Sequence, residues 1–514
     1  MIPKKNELVT IEITDMGSGG EGIGRADGFT LFVKGAVVGD VIEAKVLKAK
    51  KTYGYAKIEK IIRPSEHRVE LVCPVAGRCG GCQLQSMSYP SQLAWKERKV
   101  RGCLERIGGV AFAEARDGIG CDGAEAVSGV AASNGGETDK PHFLPILGME
   151  DCLAYRNKAQ FPMGSDKNGK IVTGFYAGHS HAIIPSTTCA IQAPVNEVIC
   201  KTVCEHMEQY KIAPYEEETH TGLVRHILTR VGAATGEVLV CLIINGKILP
   251  KAEVLAERLK KAIEAFSEGK TESKAEGIEK DENKAKNNVE VSLVLKGLCL
   301  NINCEKTNVI LGTEIIPVWG ETYITDYIGE VSFRISPLSF YQVNPKQTKV
   351  LYEKALEFAG LTGNEIVWDL YCGIGTISLF LAKKAKQVYG VEIVPQAIED
   401  AKQNAIRNNI ENAEFFVGAA EDVLPEKYRE SGGSMRADVI VVDPPRKGCD
   451  EALLQTVVQM DPKRVVYVSC DPATLARDVK YLEENGYMLV KAQPVDMFPM
   501  TEHVETCVLL TKQS

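Results

Sequence analysis

Between residues 7 and 63, apolar and polar residues alternate in short runs, LVTIEI, TLFVKG and DVIEAKV, set apart by glycines as in GEGIGRADG. Alternation with period two gives each strand one inward face, and short strands joined by Gly-rich turns predict a small antiparallel β-barrel of the OB-like kind. Across 142–335 the runs HFLPILG, KIVTGFYAG, EVLVCLIIN, VEVSLVLKG and LCLNINC predict a second, larger antiparallel unit, broken by a helix over 195–210. From 336 onward the pattern changes. Apolar strands at 365–370, 388–391, 413–417, 439–442, 464–468, 488–492 and 504–510 alternate with helical stretches such as 347–358 and 473–482. Strands alternating with helices predict a Rossmann-like sheet. Residues 89–107 read as a basic amphipathic helix, while 113–141 and 266–288 are small, polar or charged and predict surface insertions without chemistry.

The expected organisation is therefore a multidomain α/β and β protein: a barrel over 1–64, a cysteine loop and helix over 65–112, the insertion 113–141, the central β-rich domain 142–335 and the Rossmann-like domain 336–514. A chain of 514 residues exceeds what one core organises. No run of 18 apolar residues occurs, and MIPKKNELVT lacks the apolar stretch of a signal peptide, so a cytoplasmic protein without a membrane partner is expected. No obligate protein partner is evident either. The net charge of −8 does not mark a nucleic-acid binder, but the cations cluster. Lys45, Lys48, Lys50, Lys51, Lys57, Lys60, Arg63 and Arg68 surround Tyr53 and Tyr55, a set suited to RNA backbone contact and base stacking. This segment resembles a TRAM domain. In the middle of the chain Tyr155, Arg156, Asn157 and Lys158, and then Arg225, His226 and Arg230, predict a substrate-holding face, with no role assigned to His226.

Sixteen cysteines in a long intracellular chain point to free thiols, metal ligands or catalysis. Cys73, Cys79 and Cys82 lie within ten residues of CPVAGRCGGC, one ligand short of a closed site, and Cys189 is the candidate fourth. The C-x5-C-x2-C spacing with a distant fourth cysteine suits a [4Fe-4S] cluster better than zinc, whose structural sites usually combine two close pairs; zinc is second and unrelated free thiols third.

In the last domain the first strand runs into DLYCGIGT, and the second ends at Glu392, where a carboxylate can accept hydrogen bonds from ribose hydroxyls. With Asp369 before the turn, this form resembles the S-adenosylmethionine-binding loop of class I methyltransferases. The fourth strand ends at Asp443-Pro444-Pro445-Arg446, in place of the Asn-Pro-Pro-aromatic form used on planar amino groups, which argues for a different acceptor. Cys470, in VSCDPATLARD, stands at the carboxyl end of a buried strand. Methylating carbon 5 of uracil needs a thiolate to add to carbon 6, a methyl donor and a base that removes the carbon-5 proton; Cys470, the GIG loop and Glu505 supply that set.

DLYCGIGT, VVDPPRKG, VSCDPATLARD and FPMTEHVETCVLL, with the barrel and the cysteine loop, resemble the RNA (uracil-5-)-methyltransferase family over nearly the whole chain. The resemblance implies Cys470 as nucleophile and Glu505 as proton acceptor, and methyl-donor contacts at Gln342, Tyr371, Glu392 and Asp443. It also implies iron-sulfur ligation by Cys73, Cys79, Cys82 and Cys189, with a structural role for the cluster. The chain departs from the family pattern at Met500, where relatives often carry histidine, and Glu502 offers a second-choice base. The expected substrate is a flipped-out uridine of 23S ribosomal RNA, with the T-loop uridine of transfer RNA as the alternative. A non-catalytic RNA-binding protein is disfavoured by Cys470, Glu505 and Asp443 together, and a nitrogen methyltransferase by Asp443 and Arg446.

Overall fold

In the computed structural model the first five strands close into a barrel, Leu8–Met16, Gly22–Ala26, Phe29–Val33, Tyr53–Arg63 and Val41–Ala49 in spatial order, all antiparallel except the pair Phe29–Val33 and Tyr53–Arg63. The structure describes residues 2–113, 140–178, 180–269 and 291–513. Ile11, Leu31, Val33, Ile42 and Val46 fill the barrel. Gly54 has no room for a side chain, because a Cβ would stand 2.8 Å from the Lys48 carbonyl. Arg68, expected on the RNA-facing surface, is instead tied to the fully buried Asp40 by two hydrogen bonds, Nε to Oδ1 at 3.0 Å and Nη2 to Oδ2 at 2.5 Å. Burial opposes ionisation of Asp40, but Arg68 and the N–H groups of Ser65 and Val37 outweigh it and hold the carboxyl below its usual range.

The central sheet has seven strands in the order Glu314–Gly320, Val294–Ile302, Glu237–Ile244, Val224–Val231, Lys158–Ser165, Ile171–Tyr176 and Ile183–Pro185. All neighbours are antiparallel except Glu237–Ile244 and Val294–Ile302. A parallel pair needs a crossover, and the helix Ala252–Ser267 lies between these two strands in the chain. That helix was not expected, and Phe266 and Ser267, assigned to an insertion, complete its last turn. The other residues of the expected insertions at 113–141 and 266–288 lie for the most part outside the described residues. VEVSLVLKG and LCLNINC, read as two strands, meet in one, Val294–Ile302, while 289 and 290 lie outside the described residues. The helices Val195–Gln209 and Ala252–Ser267 cover one face of the sheet through Ile199, Val203, Leu255 and Leu259. Leu228, Leu239, Cys241 and Cys299, on the opposite face, join the core of the last domain.

The last sheet runs Ala413–Val417, Gln387–Glu392, Ile366–Leu370, Val439–Val442, Arg464–Ser469, Glu505–Lys512, Tyr487–Val495 and His142–Phe143. Its first five strands are parallel, and Glu505–Lys512 is inserted antiparallel between its neighbours. HFLPILG, expected in the central unit, thus contributes His142–Phe143 to this sheet's edge. The strand order reverses between Ile366–Leu370 and Val439–Val442, which opens a crevice at their carboxyl ends.

The helix Tyr89–Arg106 packs its Val100 and Leu104 into the same core as Leu475 and Ala476 of the helix Pro472–Glu484. Its Lys96 is fully buried and donates to Asp496 at 2.5 Å, so this cation belongs to the interior and not to a basic surface. Among the described residues no helix is long and apolar enough to cross a membrane.

Candidate active site and cysteine cavity

At the reversal point lies a cavity of about 890 Å3 whose walls include Gln342, Tyr371, Glu392, Asp443, Cys470 and Glu505, residues separated by up to 163 positions in the chain. The donor loop is shaped by glycines: Gly373 and Gly375 stand at φ 54° and 82°, and Tyr371, also left-handed at φ 71°, is held there as its N–H and that of Cys372 both donate to the Val391 carbonyl. Glu392 accepts from the Gly373 N–H at 3.3 Å and the Val394 N–H at 3.0 Å, which locks this carboxylate against the loop. Asp369, noted in the sequence only as preceding the turn, is fully buried and lines the same cavity. One of its oxygens accepts from Ser378 Oγ at 2.5 Å while Oδ1 has no hydrogen-bond partner among the described residues, and burial pushes the carboxyl up to about 7.

Cys470 sits in a turn fixed by its neighbours. Asp471 caps the following helix by accepting from the N–H groups of Ala473 and Thr474, and its own N–H donates to Ser469 Oγ at 3.1 Å. Burial pushes the thiol up to about 11; Glu505 and Asp443 add to the shift and Arg446 opposes it. The buried Glu505 and the partly buried Asp443 are raised above the usual carboxylate range by burial, and in Glu505 by the charge of Asp443 as well. Glu505 lines the cavity; Glu502, the second-choice base, is not among its walls and gives its carbonyl to Lys99 at 3.0 Å. Arg446 Nη2 donates to His503 Nε2 at 3.3 Å, and burial followed by the charge of Arg446 pushes this imidazole down to about 4, leaving it neutral with its proton on Nδ1. The sequence reading missed His503, Phe498 and Phe340 as cavity residues. Phe340, 71% exposed at the wall, did carry a signal, an aromatic next to the FYQVNP segment that strand patterning alone does not interpret.

Cys73, Cys79, Cys82 and Cys189 line a second cavity of about 380 Å3, together with Arg156, Lys158, Gln85, Gln160 and Gln192. The sequence-distant Cys189 therefore meets the other three. Burial, with the neighbouring thiols adding, pushes Cys82 up to about 12. The Cys73 N–H donates to Gln85 Oε1 at 3.0 Å, and the buried Gln85 Nε2 has no partner among the described residues. Among the described residues no three His, Cys, Asp or Glu side chains are gathered as they would be around one metal ion. This geometry shows neither the expected [4Fe-4S] cluster nor the second-ranked zinc site; it shows four thiols on one cavity.

The two basic clusters of the middle domain separate. Arg156 lines both cavities and Lys158 the cysteine cavity, where burial, then Arg230 and Arg156, push its ammonium down to about 8. Arg225 and Arg230 are turned inward, contrary to the expected RNA-holding face. Arg225 donates to the carbonyls of Asn303, Glu305 and Thr307, and Arg230 to that of Ser339. His226 is buried beside the Tyr176 hydroxyl, 3.4 Å away.

A Rossmann-like sheet with one inserted antiparallel strand, a glycine loop at the reversal point and a carboxylate at the end of the second strand define a class I methyltransferase. Residues 278–513 match the tRNA (Uracil-5-)-methyltransferase family model and residues 4–58 the TRAM domain model. The chain is 46% identical over 506 residues to an uncharacterized RNA methyltransferase of Halalkalibacterium halodurans, covering 98% of this chain and 97% of the relative. It is 45% identical over 508 residues to one of Clostridium tetani, covering 99% and 97%. Among solved structures it resembles the Pyrococcus abyssi tRNA (uracil-54, C5)-methyltransferase in complex with S-adenosyl-L-homocysteine, with TM-score 0.70, 25% identity and coverage of 98% of this chain and 99% of that one. The chain belongs to the RNA (uracil-5-)-methyltransferase family.

Proposed function

We propose that the protein transfers the methyl group of S-adenosylmethionine to carbon 5 of a specific uridine in 23S ribosomal RNA, acting in the cytoplasm. The observation that carries this reading is the meeting of Cys470, Glu505, Asp443 and the glycine donor loop in one cavity. Gln342, Tyr371, Glu392 and Asp443 hold the donor, and the unpartnered Asp369 Oδ1 offers an acceptor to its cationic part. The Cys470 thiolate adds to carbon 6, and the electron pair of the 5,6 double bond becomes an enolate. Carbon 5 attacks the methyl group, and the methyl–sulfur bond breaks with its electrons remaining on sulfur. Glu505 takes the carbon-5 proton, the 5,6 double bond re-forms and the carbon–sulfur bond to Cys470 breaks, releasing thiolate.

The electrostatics fit this order. Cys470 and Glu505 both hold protons tightly in a pocket whose carboxylates repel negative charge. A sulfonium in that pocket favours loss of both protons. Methyl transfer removes its positive charge, so the proton affinity of Glu505 recovers at the step that requires it. Phe340, exposed at the cavity wall, is available to stack on a base flipped from its helix, and the barrel residues Lys50, Tyr53 and Tyr55 to hold flanking RNA.

For the cysteine cavity the reading is a [4Fe-4S] cluster on Cys73, Cys79, Cys82 and Cys189. Four thiols on one cavity support it, as do the cations Arg156 and Lys158 and the Gln85 Nε2 group, which has no partner among the described residues, on the wall of the same cavity. Its contribution would be to pin the 73–82 loop to the segment around Cys189. Iron and acid-labile sulfide in protein purified without oxygen support this; zinc alone overturns it.

A second substrate reading, the T-loop uridine of transfer RNA, is favoured by the likeness to the Pyrococcus abyssi enzyme. That likeness extends over 98% of the chain, so a barrel at the front does not separate the two substrates. The test is incubation with labelled donor and unmodified 23S ribosomal RNA or transfer RNA, followed by mapping of 5-methyluridine. Label in ribosomal RNA that is lost in Cys470→Ala supports the proposal. Label in transfer RNA alone replaces the substrate, and label in neither rejects the activity.

A further inference from the structure

Between the strands Tyr487–Val495 and Glu505–Lys512 the chain forms a strap, 498–503, whose Phe498, Thr501 and His503 wall the methyl-transfer cavity and which leads directly into Glu505. Apart from a turn within the strap, its backbone from 498 to 502 is held among the described residues by six groups from elsewhere. Phe498 O accepts from Lys96 Nζ at 3.0 Å, Pro499 O from the Tyr155 hydroxyl at 3.1 Å, and Glu502 O from Lys99 Nζ at 3.0 Å. Met500 donates its N–H to Gln92 Oε1 at 3.0 Å and accepts at its carbonyl from the Leu84 N–H at 3.0 Å; Glu502 donates its N–H to Gln83 Oε1 at 3.3 Å. None of these supports comes from the methyltransferase sheet. They come from the helix Tyr89–Arg106, the cysteine loop and the segment beside Arg156.

Met500 is the strained point of the strap, a non-glycine residue at φ 68°. Gln92, with no exposed surface, grips it twice, accepting the backbone N–H and donating Nε2 to the thioether at 3.3 Å, while its amide also donates to the Met87 carbonyl. Met500 packs in one cluster with Cys82 and Cys189. Cys470 and the donor loop stand on other elements, the turn at 469–471 and the loop 371–376. Thiol addition and methyl transfer therefore rest on the sheet, whereas the wall around Glu505 rests on Gln92 and the cysteine loop.

We propose that Gln92 is a positioning residue for the proton-abstraction step, fixing through Met500 the strap that aligns the Glu505 side of the cavity, with the cysteine loop as the second support through Leu84 and Gln83. The inference rests on the reading of Glu505 as the base. The test is a single-turnover reaction with whichever unmodified RNA the wild-type protein methylates, following methyl transfer and the RNA held covalently on Cys470 as separate signals. Glu505→Gln is the reference and retains methylated RNA as a covalent adduct. Gln92→Met, similar in length but without the amide, slows adduct release by about ten- to a hundredfold, the cost of a small misplacement of a catalytic group, and leaves methyl transfer near wild type. Gln83→Ala, at a partly exposed position, gives a smaller rise in adduct in the same direction.

Equal loss of both steps in Gln92→Met with wild-type behaviour of Gln83→Ala overturns the inference in favour of a general structural role, and release at the wild-type rate in both variants also overturns it. If Glu505→Gln itself fails to retain RNA, the base assignment falls and takes the inference with it. Retention by Glu505→Gln but not by Gln92→Met removes the inference alone.

Discussion

The two cavities share Arg156 as a wall but are built on opposite principles. In the methyl-transfer cavity Asp443 and Cys470 each follow the end of a parallel strand and Glu392 ends one, so hydrogen-bonded ladders set their positions before any ligand arrives, whereas Glu505 opens an antiparallel strand directly after the strap 498–503. In the cysteine cavity three thiols come from 73–82, a segment without a regular element, and the fourth from a turn after the short strand Ile183–Pro185. The comparison teaches that the first site is largely preorganised by secondary structure, while the second is assembled from loops. The strap 498–503 makes the first answer to the second.

The sharpest way to break this comparison is a pair of substitutions. Cys470→Ala is expected to reduce methylation to background while iron content stays at the wild-type level; Cys189→Ala is expected to lose iron and keep donor binding, measured by calorimetry. Loss of donor binding in Cys189→Ala would show that the cysteine cavity organises the sheet as well as the strap. Next in size is Lys96→Met, which leaves Asp496 buried without its cation. It is expected to lower unfolding free energy by about 3–5 kcal/mol, read from urea denaturation, because an unpaired buried charge costs far more than the pair contributes.

A smaller effect concerns pH. A Cys470 thiol held up to about 11 is neutral at pH 7, and its reactive thiolate increases about tenfold per pH unit below that value. Alkylation of the Cys470 peptide by iodoacetamide, followed by mass spectrometry, is therefore expected to rise about a hundredfold from pH 7 to 9, and to rise at pH 7 when a sulfonium analogue is added. A flat profile would show that burial, with the carboxylates adding to it, does not hold the thiol up. The smallest effect lies at the barrel, where Phe32, Tyr53 and Tyr55 pack edge to face or tilted, with Lys50 Nζ 4.7 Å from the Tyr53 ring centroid. Tyr55→Ala is expected to weaken RNA binding by about 1–3 kcal/mol in a filter-binding measurement without changing the single-turnover rate at saturating RNA.

Much of the fold was legible because its signals are local. The strands of the last sheet fall within a few residues of their apolar runs, and Asn344 and Asp471, side chains that cap the helices Pro345–Ala359 and Pro472–Glu484, stand just before a proline where a helix start is expected. The helix Ala252–Ser267 carries a local signal too, since Leu255, Leu259 and Ile263 recur every four residues, but the repeat runs directly into a charge-rich stretch that has no apolar period. The pairing of His142–Phe143 with the far edge of the last sheet had no local signal. Nor did the inward turn of Arg225 and Arg230, because in Val224–Val231 every residue but the last is buried and alternation no longer separates a core face from a solvent face.

The sequence by itself determined which thiol, which carboxylates and which glycine loop stand at strand ends, because strand, turn and cap are set by residues a few positions apart. Only the tertiary structure decided that Glu505 and not Glu502 enters the cavity, that Arg156 borders both sites while Arg225 and Arg230 serve the interior, and that Met500 is held by Gln92. Those outcomes depend on groups about 70 to more than 400 residues apart sharing a few ångströms, and the partner of a buried polar group is chosen by packing and by the cost of leaving it unpaired, which no local pattern encodes.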